Sequence, residues 1–224
     1  MSLILNIETS TTNCSVSLSK QGETLVLKED NNASYSHAES LHVFMDSVLK
    51  SAHIKKEELD AIAVSKGPGS YTGLRIGVSA AKGLSYALGI PLISVSTLEA
   101  LAYQVQVTEG VIVPMLDARR LEVYSAIYDS SHQQIRAIEA QILDENAFLD
   151  YLNKGVVYFI GNGVSKTKDL INHKHAKFIE GKLPSANEMS SLAYEKYKKS
   201  DIEDVAYFEP FYLKDFIALK PKRS

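Results

Sequence analysis

The chain has 224 residues, 45% of them hydrophobic and 23% charged, with a formal net charge of −3. That balance belongs neither to a disordered chain nor to a membrane-embedded one, and the length allows one large domain or two lobes. The negative charge argues against a chain that grips nucleic acid by itself, because such affinity rests on Lys and Arg neutralising phosphates.

In chain order, residues 3–8 and 14–19 read as a hairpin closed by the polar turn 9–13, with Val16 and Leu18 alternating along its second strand. Residues 1–9 carry no basic leader, since Asn6 and Glu8 interrupt the apolar run, so no signal peptide is expected. Cys14 is the single cysteine and has no internal disulfide partner, which makes a reducing cytosol the expected compartment. Gln21-Gly22 turns the chain into a third strand at 24–28. A helix is expected over 36–52, where Leu41, Phe44, Met45, Val48 and Leu49 recur at spacings of three and four. An apolar strand at 61–66 then ends at Gly67-Pro68-Gly69, where the chain reverses into a helix over 72–88 that stops at Gly89. After a strand at 91–95, Ser96-Thr97-Leu98-Glu99 forms a capping box at a further helix start.

Beyond Gly110 the order of elements begins again. Strands are expected at 111–116, 122–128 and 135–143, a helix at 145–152, and a strand at 156–160 closed by Gly161-Asn162-Gly163. A helix at 165–171, a short strand at 176–179 and a helix at 186–199 lead to an aromatic tail with Tyr207, Phe208, Phe211, Tyr212 and Phe216. No segment approaches the roughly 18 apolar residues of a spanning helix. Periodicity alone supports a mixed α/β protein of two lobes, divided at 1–105 and 106–199, with a C-terminal segment at 200–224 packing back on them. The tail Lys220-Pro221-Lys222-Arg223 reads either as a solvated end or as an auxiliary phosphate contact.

The helix over 72–88 is unusual in its small residues, Gly73, Gly77, Ala80, Ala81, Gly83 and Ala87. Each glycine inside a helix costs about 0.5–1 kcal/mol relative to alanine, so something must approach this helix closely. Its polar side chains keep to a narrow stripe of Arg75, Ser79, Lys82 and Tyr86, and a helix apolar on its other sides is buried on more than one of them. Its own sheet covers one side, leaving the helix over 36–52 and another polypeptide to cover the rest; the protein's own loops are the alternative cover. The loop Gly67 to Thr72, with Arg75 in the first helical turn, reads as an anion cradle or as a tight strand-to-helix connection. It is not a P-loop, because Gly73 is followed by Leu74 rather than Lys. His37 and His42 are five residues apart and His173 and His175 two apart, so the histidines give no zinc signature.

The block Gly67-Pro-Gly-Ser-Tyr-Thr-Gly-Leu-Arg-Ile-Gly77, with Ala81-Lys-Gly-Leu84 and Val95-Ser-Thr-Leu-Glu-Ala-Leu101, resembles the signature of the TsaB (YeaZ) family. Ile4-Leu-Asn-Ile-Glu-Thr-Ser-Thr11, Ser15-Val-Ser-Leu18, Asp117-Ala-Arg-Arg-Leu-Glu-Val-Tyr124 and Glu209-Pro-Phe-Tyr-Leu-Lys214 extend the resemblance over nearly the whole chain. Leu121 and Lys214 depart from it, where a glycine and an arginine are usual.

The resemblance implies an α/β, two-lobed, duplicated ribonuclease-H-like fold of the actin, sugar kinase and Hsp70 superfamily. In that superfamily the first hairpin faces a nucleotide, which makes Glu8, Thr9 and Ser10 nucleotide candidates; hydroxyls closing the hairpin is the other reading. Asp117, beside Arg119 and Arg120, is the only acidic group the second lobe offers opposite them. The related TsaD or Kae1 subunits carry two metal-binding histidines where this chain has Thr97 and Leu101, so no metal and no catalytic residue is expected. The implied role is that of a non-catalytic subunit in forming threonylcarbamoyladenosine at position 37 of tRNA. Its implied partners are a TsaD-type paralogue, a TsaE-type ATPase and, through the complex, tRNA, with a homodimer when it is alone and no membrane. No cofactor is expected to be tightly bound, ATP or ADP entering only in the complex, with the metal on the partner. The expected interface comprises Leu41, Met45 and Val48 with Gly73, Ile76, Gly77, Ala80, Ala81 and Leu84. A small-molecule kinase or ATPase is the alternative, and a metallopeptidase a more distant one.

Overall fold

A computed structural model describes residues 2–31 and 37–214 of the chain. The first half builds a five-stranded sheet from β1 (Leu3–Glu8), β2 (Cys14–Lys20), β3 (Glu23–Asp30), β4 (Ala61–Gly67) and β5 (Leu92–Ser96), in the order β3-β2-β1-β4-β5. The second half repeats the plan with β6 (Val111–Asp117), β7 (Glu122–Asp129), β8 (Gln134–Ile142), β9 (Val157–Ile160) and β10 (Ala176–Ile179), in the order β8-β7-β6-β9-β10. In each sheet a meander of three antiparallel strands is extended by two parallel ones. This duplicated ribonuclease-H-like order is the fold that the resemblance implies.

The helices are α1 (His37–Ala52), α2 (Tyr71–Leu88), α3 (Thr97–Ala102), α4 (Leu149–Leu152), α5 (Val164–Lys168) and α6 (Ala186–Lys198). Position 36, the expected start of α1, and the tail with Phe216 and Lys220 to Arg223 lie outside the described residues. α2 starts where the Ser70 hydroxyl accepts the Gly73 amide and ends at left-handed Gly89 (φ +65°), the conformation that closes a helix at least cost on glycine. The expected helix at 145–152 shrinks to the single turn of α4, because Asp144 accepts the Asn146 amide and a turn occupies the preceding residues.

α1 and α2 cover one face of the first sheet, burying Leu41, Val48, Val78 and Ala81 against Leu5, Ile7, Val16, Ile62 and Val64. Its other face is covered by α6, which the division at 199 assigns to the second lobe. Half of that contact is apolar, with Met189, Leu192 and Ala193 against Ile4, Ala61, Ala63 and Ile93. The other half is hydroxylic, because β2 alternates serine on this side: Ser17 donates to the Ala186 carbonyl (2.8 Å), Ser15 accepts the Ala186 amide (3.0 Å), and the Asn6 amide donates to Ser17 and Ser19. Conversely, α3 from the first half sets Leu98, Leu101 and Ala102 against Ile112, Leu116, Ala126 and Ile160 of the second sheet. Each half thus lends its last helix to the other.

Residues 200–214 return along α2. Glu203 bridges to Leu92, Val205 and Phe208 join the first core, and the Phe211 amide donates to the Lys66 carbonyl (2.7 Å). Lys82 donates to the carbonyls of Ala206 and Phe208, and Arg75 donates to the Tyr212 hydroxyl. Lys214 then reaches Glu122 in the second half.

Candidate functional site

The first hairpin turn, where nucleotide chemistry would be sought, is packed beneath the start of α2. The Thr9 hydroxyl donates to the Gly73 carbonyl (2.8 Å), and the Ser70 amide donates to the Ser10 carbonyl (2.6 Å). A Cβ at Gly73 would collide with the Thr9 carbonyl oxygen, one at Gly77 with the Thr9 hydroxyl, and one at Gly69 with Ser10. The close approach that the small residues demand is therefore made by the chain's own hairpin at these three glycines, and the expectation of a second polypeptide there is corrected.

Glu8 is fully buried. One carboxylate oxygen accepts the Ser10 amide (2.6 Å) and the Ser65 hydroxyl (3.0 Å), while Oε2 has no partner among the described residues. Burial holds its carboxyl above the usual range, against the lowering effect of those hydrogen bonds. The acidic group opposite, Asp117, is exposed and pairs with Lys166 (3.0 Å) rather than with Arg119 or Arg120; it also accepts the Arg119 amide. Thr97 and Leu101 are buried. Among the described residues no three His, Cys, Asp or Glu side chains are grouped to hold a metal ion. At the start of α2, considered as an anion cradle, the Ser70 amide is taken by the Ser10 carbonyl and the Gly73 amide by the Ser70 hydroxyl, with the Arg75 guanidinium 4.3 Å from the Tyr71 ring and bonded to Tyr212.

On the outer side of α1 and α2 lies an open groove of about 470 Å³, lined by His42, Met45, Ile76, Ser79, Ala80, Gly83, Leu84 and Ala87. The expected interface set is divided by it. Met45, Ile76, Ala80 and Leu84 line the groove, whereas Leu41, Val48, Gly73, Gly77 and Ala81 face the lobe's own interior. His42 on α1 and Ser79, Gly83 and Ala87 on α2 are additions, and on α2 the spacing 76, 80, 83, 84, 87 marks one helical face. Gly83 is the informative member: a Cβ there would meet nothing within 4 Å among the described residues, so none of them accounts for the glycine.

A family model described as "TsaD: tRNA N6-adenosine threonylcarbamoyltransferase" matches residues 30–222. The chain is 34% identical over 174 residues to the tRNA threonylcarbamoyladenosine biosynthesis protein TsaB of Bacillus subtilis, covering 75% of this chain and 74% of that protein. It is 28% identical over 229 residues to TsaB of Haemophilus influenzae, covering 97% and 95%. The solved structure of YeaZ from Pseudomonas aeruginosa superposes with a TM-score of 0.82 at 27% identity, covering 95% of this chain and all of that one. With the signature loop seated on the hairpin turn, the duplicated sheet order and these likenesses, the chain belongs to the TsaB (YeaZ) family.

Proposed function

We propose that this chain is a non-catalytic subunit in the formation of tRNA threonylcarbamoyladenosine, and that it works by docking its α1/α2 groove onto a TsaD-type paralogue. The observation that carries the reading is the apolar groove with the exposed Gly83 in its lining, set against a hairpin turn whose polar groups serve packing. A glycine in mid-helix is retained at a cost, and a helix seated in the groove would use the space it leaves. The match of the TsaD family model to most of this chain supports a paralogue with equivalent helices. A pseudo-two-fold heterodimer would then form on the same face as a two-fold dimer of this chain alone. In this reading the paralogue carries the metal and the transfer chemistry, ATP or ADP binds in the assembly, a TsaE-type ATPase is the further partner, and the cytoplasm is the compartment.

Ala80→Arg and Leu84→Asp test the docking, because both positions line the groove, whereas Ala81 belongs to the lobe's own core. Each variant places an unpaired charge in the contact and should weaken association by about 3 kcal/mol, more than a hundredfold. Size-exclusion chromatography with the paralogue measures this, with circular dichroism reporting the fold. Unchanged affinity in folded variants would place the interface elsewhere.

Transfer RNA should bind this chain alone weakly and with a steep salt dependence, given the net charge of −3. Filter binding between low and physiological salt tests that expectation. Salt-resistant submicromolar binding by the isolated chain contradicts it.

A further inference from the structure

A second cavity, of about 530 Å³, opens at the opposite end of the first sheet from the hairpin turn, and the docking reading makes no use of it. Its volume falls within the roughly 300–1,000 Å³ of ordinary ligand cavities. Four parts of the chain meet there: Ser2 at the start of β1, Gln21 in the β2–β3 turn, Pro91 before β5, and the end of α6, where Tyr194, Tyr197 and Lys198 run on to Ser200. The Gln21 amide donates to the Ser2 carbonyl (3.0 Å), which ties the turn to the strand. Gly22 lies against the Tyr194 ring, where an added Cβ would come within 3.0 Å of it, so the turn and the aromatic platform fix each other.

The chemistry of the wall is specific. Tyr194 and Tyr197 pack their inner faces on the core formed by Ile4, Ile93 and Met189. The Lys198 ammonium stands 4.8 Å from the Tyr194 ring centre and pairs with Glu195, both partners about half exposed. Such a surface pair is readily exchanged for another anion. The Ser2 hydroxyl is enclosed, 95% of the residue being buried, and has no hydrogen-bond partner among the described residues.

We propose that this cavity binds a nucleotide unit, either as a free nucleoside monophosphate or as one residue of single-stranded RNA. The base stacks on Tyr197, its edge meets the Gln21 side-chain amide, and the phosphate replaces Glu195 on Lys198. Aromatic platforms beside a cation are the general means of holding an unstacked base, and an amide side chain matches the hydrogen-bonding edge of a purine. The site stands apart from the α1/α2 groove, so its failure and the failure of the docking reading are separate results.

The test is titration of the full-length protein with adenosine monophosphate and with a fluorescein-labelled hexaadenylate, followed by amide NMR and fluorescence anisotropy. Saturable shifts at Ser2, Gln21 and Ser200 are expected. Tyr197→Ala should weaken binding about tenfold, and Lys198→Glu should weaken it and flatten its salt dependence. Tyr86→Ala, on the far side of the lobe, should leave it unchanged. Equal affinity for the two probes identifies a free nucleotide, and a tenfold preference for the oligomer identifies RNA. The absence of saturable shifts at millimolar ligand overturns the proposal, as does binding that neither Tyr197→Ala nor Lys198→Glu alters. If Tyr197→Ala does not fold, Lys198→Glu at its exposed position decides.

Discussion

Two alanines placed ten residues apart in α2 are expected to act in opposite directions. At Gly73 the new methyl group meets the Thr9 carbonyl oxygen, a backbone atom that cannot turn aside. Gly73→Ala should therefore lose about 3 kcal/mol, the upper range for overpacking, despite the better helix propensity of alanine. At Gly83 the methyl group meets nothing within 4 Å, so Gly83→Ala should gain about 0.5–1 kcal/mol in the isolated protein. Urea unfolding at constant slope separates the two effects as shifts in midpoint. The same Gly83→Ala protein, more stable alone, should associate less tightly through the groove, because the methyl group occupies the space where a docked helix would sit. If Gly83→Ala leaves docking unchanged, Gly83 takes no part in the contact.

Glu8→Gln is the second large effect, and its sign depends on pH. Burial holds the Glu8 carboxyl above its ordinary value, so the folded protein keeps this proton more tightly than the unfolded chain does. The contribution of Glu8 to stability is therefore fully present below the ordinary carboxylate pKa of about 4.3. It declines as the pH rises through that value toward the raised one. Glutamine is neutral throughout and its oxygen can still accept from the Ser10 amide and the Ser65 hydroxyl. The variant should match the parent near pH 4 and exceed it near pH 8 in thermal or urea unfolding. Glu8→Ala strands both of those buried donors and should cost on the order of 3 kcal/mol. A Glu8→Gln protein that is less stable than the parent at pH 8, or an ATP turnover that Glu8→Gln removes, would show that the carboxylate is needed ionised and would count against the packing role.

Much of this was legible in the sequence because the signals are local. The hairpin, the strand–loop–helix unit and both three-strand meanders follow from alternation and glycine placement, and the observed elements differ mainly at their ends. What glycine cannot announce is which neighbour it accommodates. Gly73, Gly77 and Gly83 look alike in the chain, yet the first two seat Thr9 and the third has no neighbour within 4 Å among the described residues. The stripe of Arg75 and Lys82 reads as solvent-facing by periodicity, but the returning segment supplies carbonyl and hydroxyl acceptors from about 120 to 140 residues away. No local pattern marks a contact of that span. The same holds for α6, whose amphipathic stripe identifies a buried face without saying whose sheet it covers. The serines of β2 were the overlooked clue: hydroxyls at every second position of a buried strand ask for a polar neighbour, and the start of α6 provides one.

The exchange of last helices also governs the order in which the protein can mature during synthesis. When the ribosome has released residues 1–105, Ser15, Ser17, Ile4 and Ile93 have no cover, because their cover is residues 186–198. The nascent first sheet must therefore wait for almost the entire chain, and neither half is a self-sufficient folding unit that could be expressed alone. A premature stop before residue 186 should yield an aggregation-prone fragment instead of a working lobe, and the intact protein should unfold in one cooperative step.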